Sequence, residues 1–148
     1  METTAIREAS IDLRGRMMAD HHRLETLFRE LQCAFEEDVS TIELRRLWSA
    51  LDEGLTAHMN AEEEIVLPEL ARIDPIEAKA LQREHEELRR RLLELGVGVD
   101  LHVVREKAAR AFLDTLREHA DREDQLLYVW AASRITPAAQ ESLLSRLR

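Results

Sequence analysis

At 148 residues with a single cysteine, the chain has the length of one compact domain, 1–148, and can form neither an intrachain disulfide nor a thiolate-rich metal site. Its 45% hydrophobic residues include few aromatics, and with 34% charged residues they suit amphipathic helices filled with Leu and Ala rather than sheets rich in Val, Tyr and Phe. A net charge of -9 argues against a nucleic-acid partner, and the charged N-terminal METTAIREAS, with no run of transmembrane length, gives the expectation of a cytoplasmic protein away from membranes.

Leu13, Met17, Leu24, Phe28 and Leu31 recur at three- and four-residue spacing, which predicts a first helix from roughly Ser10 to Glu37 with His21 on its apolar stripe. Ser40 with Glu43 is a capping box, and it opens a second stripe through Leu44, Leu47, Leu51, Leu55, Ile65 and Val66. His58 and Glu62 lie in that stripe, and Pro68 is expected to kink or end the helix. Asp74, Pro75 and Glu77 start a third helix through Leu81, Leu88, Leu92 and Leu95, which carries His85 and is expected to stop at Gly96. The segment GVGVD reads as an extended turn, with Asp100 capping a fourth helix through Val104, Ala108, Phe112, Leu116, Leu126 and Leu127. His119 and Glu123 are in phase with it. Thr136 and Pro137 begin a short fifth helix at the C-terminal end. The predicted fold is all-α, an up-down-up-down four-helix bundle with that short helix added.

The polar residues on these stripes form a repeat. His21 precedes His58-x-x-x-Glu62, and His85 precedes His119-x-x-x-Glu123. Residues four apart share a helix face, so each His/Glu pair points at one volume. His21 lies about 16 residues before the first turn and His58 about 17 after it, so antiparallel helices place them side by side. Glu62 and His85 both lie about ten residues from their shared turn. The third and fourth helices disagree by about eight residues, a climb of about 12 Å that an extended GVGVD would cover.

A lone histidine on an apolar stripe is most simply a hydrogen-bonded core residue. Six polar residues meeting in one core are different, because two ionised carboxylates there would each cost several kcal/mol without a partner, and no Lys or Arg shares their stripes. Divalent cations remove that cost. Imidazole and carboxylate donors favour iron, manganese or zinc, and six donors from four helices suit two ions. In that assignment His21 and His58 hold one ion, His85 and His119 the other, and Glu62 and Glu123 bridge.

Glu63, Glu64 and Asp124 read as solvated or supporting groups, with Glu63 an alternative extra ligand. His22 is off the stripe, and His102 is expected to open the fourth helix facing solvent. Trp48, Trp130, Tyr128, Met17 and Met18 read as core or core-edge residues, with a redox role for Tyr128 as a minor alternative. Cys33 reads as a small buried hydrophobe.

The segments DHHRLETLF, HMNAEEEIVLP, REHEELRRRL and HADREDQLLY, spanning about Met18 to Trp130, resemble in order the four ligand-bearing segments of the hemerythrin-like, or HHE cation-binding, family. The resemblance implies a non-heme di-iron centre on the six residues above. Oxygen-carrying hemerythrins have a fifth histidine four residues from the one matching His85, where this chain has Leu81 or Arg89. Their second bridging acid is an Asp one residue after Glu123, the place of Asp124. With one ligand fewer, both irons are expected to be open. That favours binding or turnover of water, peroxide or nitric oxide over reversible oxygen carriage. Three functions fit: an oxygen or nitric-oxide binding or sensing domain, a peroxide-consuming or other oxidoreductase, and an iron-holding protein without turnover.

Overall fold

A computed structural model describes residues 11–148. Ser10, the expected start of the first helix, and the rest of METTAIREAS, on which the cytoplasmic expectation rests, lie outside the described residues. The elements are α1 (Leu13–Glu36), α2 (Thr41–Ile65), α3 (Leu67–Ile73), α4 (Pro75–Leu101), α5 (Glu106–Arg122), a π-turn (Glu123–Leu127), α6 (Tyr128–Arg134) and α7 (Pro137–Ser145). Side-chain caps satisfy amides that the first turns leave free: Asp12 accepts from the Gly15 amide, Ser40 from Glu43, Asp74 from Glu77 and Thr136 from Ala139. Pro68 ends α2 as expected and falls in the first turn of α3.

The four long helices pack as a ring, α1 on α2, α2 on α4, α4 on α5 and α5 back on α1, while α7 lies across α1 and α2. Two apolar cores fill the ring at different heights. One contains Leu24, Phe28, Leu55, Met59, Leu88 and Leu116, and the other Met17, Ala61, Val66, Leu81, Leu127 and Ala131. On α1, on α4 and along α5 with the π-turn the expected metal-binding residues fall between these two cores, and on α2 His58 and Glu62 flank the change from Met59 in one core to Ala61 in the other. His21 stands between Met17 and Leu24, and His85 between Leu81 and Leu88. The polar layer is therefore sealed above and below by apolar side chains. Among the described residues no helix is long and apolar enough to cross a membrane.

The third long helix does not stop at Gly96. It continues through Gly98 to Leu101, and its end is set by His102, which takes the left-handed conformation at φ 54°. The Val103 amide then donates to the Gly98 carbonyl at 2.9 Å, closing the helix end. Neither glycine has a positive φ. Both are sites of close approach instead: a Cβ on Gly96 would lie 2.7 Å from Trp48 Cζ2, and one on Gly98 would lie 2.7 Å from the Val103 carbonyl oxygen. Asp100 is thus inside α4, pairing with Arg45, and caps nothing. The fourth long helix begins after Arg105, without a side-chain cap, and His102 ends α4 rather than opening α5. The eight-residue disagreement in level disappears, because four residues join α4 to α5 and no extended climb is needed.

A second correction concerns the end of α5. Over Glu123–Leu127 the helix widens by one residue, and the Tyr128 amide donates to the Glu123 carbonyl five residues back. This shifts the buried face by one position, so Leu127 and Tyr128 are buried while Leu126, expected in the core, is 60% exposed. Cys33, expected to be buried, is also exposed.

The Trp48 contact yields a test. In an exposed helix Gly96→Ala would add about 1 kcal/mol of stability through propensity. Here it is expected to cost about 1 kcal/mol or more, because the new methyl overpacks against the indole. Urea unfolding of Gly96→Ala alone and in a Trp48→Ala background checks this: the substitution should destabilise the first protein and stabilise the second. A gain in both would remove the close-packing role.

Candidate metal centre

All six residues read from the sequence come together in the polar layer. His58, Glu62, His85, His119 and Glu123 are buried, and His21 retains 7% exposure. Their donor atoms fall into two groups, Glu62, His85, His119 and Glu123 in one and His21, His58 and Glu123 in the other. His21 Nε2 is 3.1 Å from His58 Nε2 and 3.1 Å from Glu123 Oε1. On the other side His119 Nε2 is 3.0 Å from Glu123 Oε1, and His85 Nε2 is 3.5 Å from Glu62 Oε1 and 3.6 Å from Glu123 Oε2. Glu123 is shared by both groups. The layer can hold metal.

An outer ring of carboxylates turns the histidines. His21 Nδ1 lies 2.9 Å from Asp124 Oδ1, His58 Nδ1 2.7 Å from Asp20 Oδ2, and His119 Nδ1 2.8 Å from Glu84 Oε1. His85 Nδ1 stands 3.7 Å from Glu63 Oε2, beyond hydrogen-bond reach. Three of these acids are held in turn by arginines: Asp20 by Arg23, Glu84 by Arg122 and Glu63 by Arg89. An imidazole that donates Nδ1–H to a carboxylate in its neutral form aims the Nε2 lone pair inward, and the carboxylate raises its basicity.

The ring has a twofold pattern. The acid before each lone histidine serves the histidine of the next pair, Asp20 for His58 and Glu84 for His119. The acid after each paired glutamate faces the lone histidine of the other half, Glu63 towards His85 and Asp124 towards His21. Glu63 and Asp124 were expected as supporting groups, whereas Asp20 and Glu84 were missed. Their sequence signal was the repeat itself, an acid immediately before His21 and another before His85. Glu64 is exposed and pairs with Arg146 at the surface, and His22 and His102 are exposed as expected.

Tyr128 enters the centre through the π-turn. In a regular helix a residue five positions after Glu123 points about 140° away from it. The added residue brings Tyr128 round to the same volume, where its hydroxyl lies 3.0 Å from Glu62 Oε2 and 3.0 Å from Glu123 Oε1. Burial, then the charges of Glu123 and Glu62, push the phenol well above its ordinary value.

Hydrogen bonding alone leaves this layer unsatisfied. Glu62 Oε1, Glu123 Oε2, His85 Nε2 and His119 Nε2 are buried without a hydrogen-bond partner, all directed into the centre. Such atoms are costly unless a cation meets them. Protons answer the same demand. Burial by itself would depress the histidines, but the surrounding carboxylates outweigh it, raising His85 to about 11 and His119 to about 9 and taking His58 well above its ordinary value. Burial likewise opposes the Glu123 charge, yet His119, His21 and His58 hold that carboxyl well below its ordinary range.

In chelator-stripped protein, groups raised on folding stabilise fully below their unfolded value of 6.5 and lose that contribution as pH rises through about 9 for His119 and about 11 for His85. The depressed Glu123 stabilises above 4.5 and loses its contribution as pH falls through its lowered value. Urea unfolding against pH should show falling stability above about 6.5. Stability that stays flat or rises from there to about 9 would contradict the charge balance described.

The sequence profile of the hemerythrin HHE cation binding domain matches residues 12–131. No curated protein and no solved structure gives a significant match.

Proposed function

The chain belongs to the hemerythrin HHE cation-binding family, and we propose that it is a non-heme di-iron protein in which residues 1–148 act as one domain. His21 and His58 hold one ion, His85 and His119 hold the other, and Glu62 and Glu123 bridge. The observation that carries this reading is the set of buried, unpartnered donor atoms on Glu62, Glu123, His85 and His119, split with His21 and His58 into two groups that share Glu123. One ion would satisfy one group and leave the other uncompensated. Imidazole and carboxylate donors without thiolate suit iron, with manganese or zinc as competitors.

Two bound non-heme irons supply sites for a small ligand such as oxygen, peroxide or nitric oxide and can exchange electrons with it. The protein's part is positional and electrostatic. Asp124, Asp20 and Glu84 fix the imidazoles that they face, and the two apolar cores keep bulk water from the layer. Access is narrow: a crevice of about 60 Å³ between α1 and α5, lined by residues including His21, Leu116 and Asp124, reaches the edge of the centre. Neither a nucleic acid nor a membrane is a partner in this reading, and a lone exposed thiol at Cys33 suits a reducing, cytoplasmic setting. Modest peroxide-linked redox activity is the favoured outcome, since six protein ligands leave both ions open.

Elemental analysis of iron-loaded protein should give about two irons per chain. Glu62→Ala and Glu123→Ala should each lower occupancy of both ions, while His22→Ala leaves loading unchanged. Asp20→Ala should weaken metal affinity by about tenfold to a hundredfold through His58. A single tightly held zinc with no capacity for iron would defeat the reading. The loaded protein should also consume peroxide in a way that Glu62→Ala abolishes. Reduced protein should be oxidised by dissolved oxygen, and oxygen recovered under vacuum would instead mark a carrier or sensor.

A further inference from the structure

Building on the di-iron reading, we propose that Tyr128 is itself a metal ligand, its phenolate oxygen completing the set around the ion held by His21 and His58. In an octahedron with bonds of about 2.1 Å, each vertex lies about 3.0 Å from four neighbouring vertices. Tyr128 Oη has four such neighbours: His21 Nε2 at 3.1 Å, His58 Nε2 at 3.1 Å, Glu62 Oε2 at 3.0 Å and Glu123 Oε1 at 3.0 Å. Three of those four also relate to one another as successive corners of such a ring. His21 Nε2 is 3.1 Å from both His58 Nε2 and Glu123 Oε1, its neighbours on the ring. His58 Nε2 and Glu123 Oε1, on opposite sides of it, are 3.8 Å apart.

A core tyrosine serving only as a hydrogen-bond donor does not account for this crowding. The hydroxyl has one hydrogen. It can satisfy Glu62 or Glu123, and the remaining carboxylate oxygen would then face phenol lone pairs at 3.0 Å in a buried site. On coordination the phenol gives up its proton, which is released to solvent as the cation takes its place, and every neighbour of the oxygen becomes a fellow donor to the same cation.

The helix geometry is built for this position. Without the π-turn the residue five beyond Glu123 would point away from the centre, and the turn is what returns it. The twofold pattern of the site does not extend to this residue, because the position five beyond Glu62 is Leu67, which has no donor atom. The two ions are therefore unequal. One receives His21, His58, Glu62, Glu123 and Tyr128. The other receives His85, His119, Glu62 and Glu123, and is the more open to an incoming small ligand.

The test uses the full-length chain loaded with ferric iron. Tyrosinate bound to ferric iron gives a visible charge-transfer band, and Raman excitation within it enhances the ring vibrations. The chain has a single tyrosine, so any such signal belongs to Tyr128. The expected result is a band whose Raman modes shift when ring-deuterated tyrosine is incorporated, and which vanishes in a Tyr128→Phe protein that still holds two irons. The wild-type spectrum decides the matter even where the variant loads poorly. Two bound irons without tyrosinate modes, or a band that survives in Tyr128→Phe, would overturn the assignment while leaving the di-iron reading intact. Failure of the wild-type chain to hold iron at all would overturn both.

Discussion

Glu62 and Glu123 are fully buried in the middle of a helical bundle, and among the described residues no Lys or Arg pairs with either. An uncompensated carboxylate in such a place costs several kcal/mol, so the layer around them must carry positive charge. Much else in the molecule follows from that demand. Four imidazoles surround the pair, outer carboxylates orient three of the imidazoles, and arginines pair with three of the outer acids. The negative charge is highest at the centre and is answered outward in shells. Apolar cores above and below supply the folding energy that such a layer cannot supply for itself.

The same demand explains why the site was legible in the sequence. Leu and Ala stripes define which helix faces point inward, and a charged residue in phase with a stripe has no cheap alternative to a cation. His21, His58, Glu62, His85, His119 and Glu123 could be read that way because each sits at the spacing of its neighbouring leucines, and the repeated order of the two halves brought them to one level. The caps at Ser40, Asp74 and Thr136 were readable for a similar reason, since a short polar side chain before an apolar run has a specific local partner.

What escaped the sequence were features decided by tertiary contact. Gly96 and Gly98 resemble a turn, but their missing side chains make room for Trp48 and the Val103 carbonyl, and the helix end falls on His102 instead. The π-turn has no local signal at all. It is visible only in its consequence, the exchange of Leu126 for Tyr128 on the buried face. Asp20 and Glu84 stand one residue from ligand positions and act on another helix, so their partners emerge only when the helices are packed.

The bundle is organised around charge compensation, with two donor groups that share Glu123 and one phenol that stands among them. In the proposed di-iron centre, two cations occupy the polar layer at positions set by the two donor groups. Anomalous X-ray scattering at the iron edge from crystals of iron-loaded protein tests this most directly. Two peaks per chain are expected, one bounded by His21, His58 and Glu123 and the other by Glu62, His85, His119 and Glu123. A single peak at the centre, or iron bound outside this layer, would contradict it.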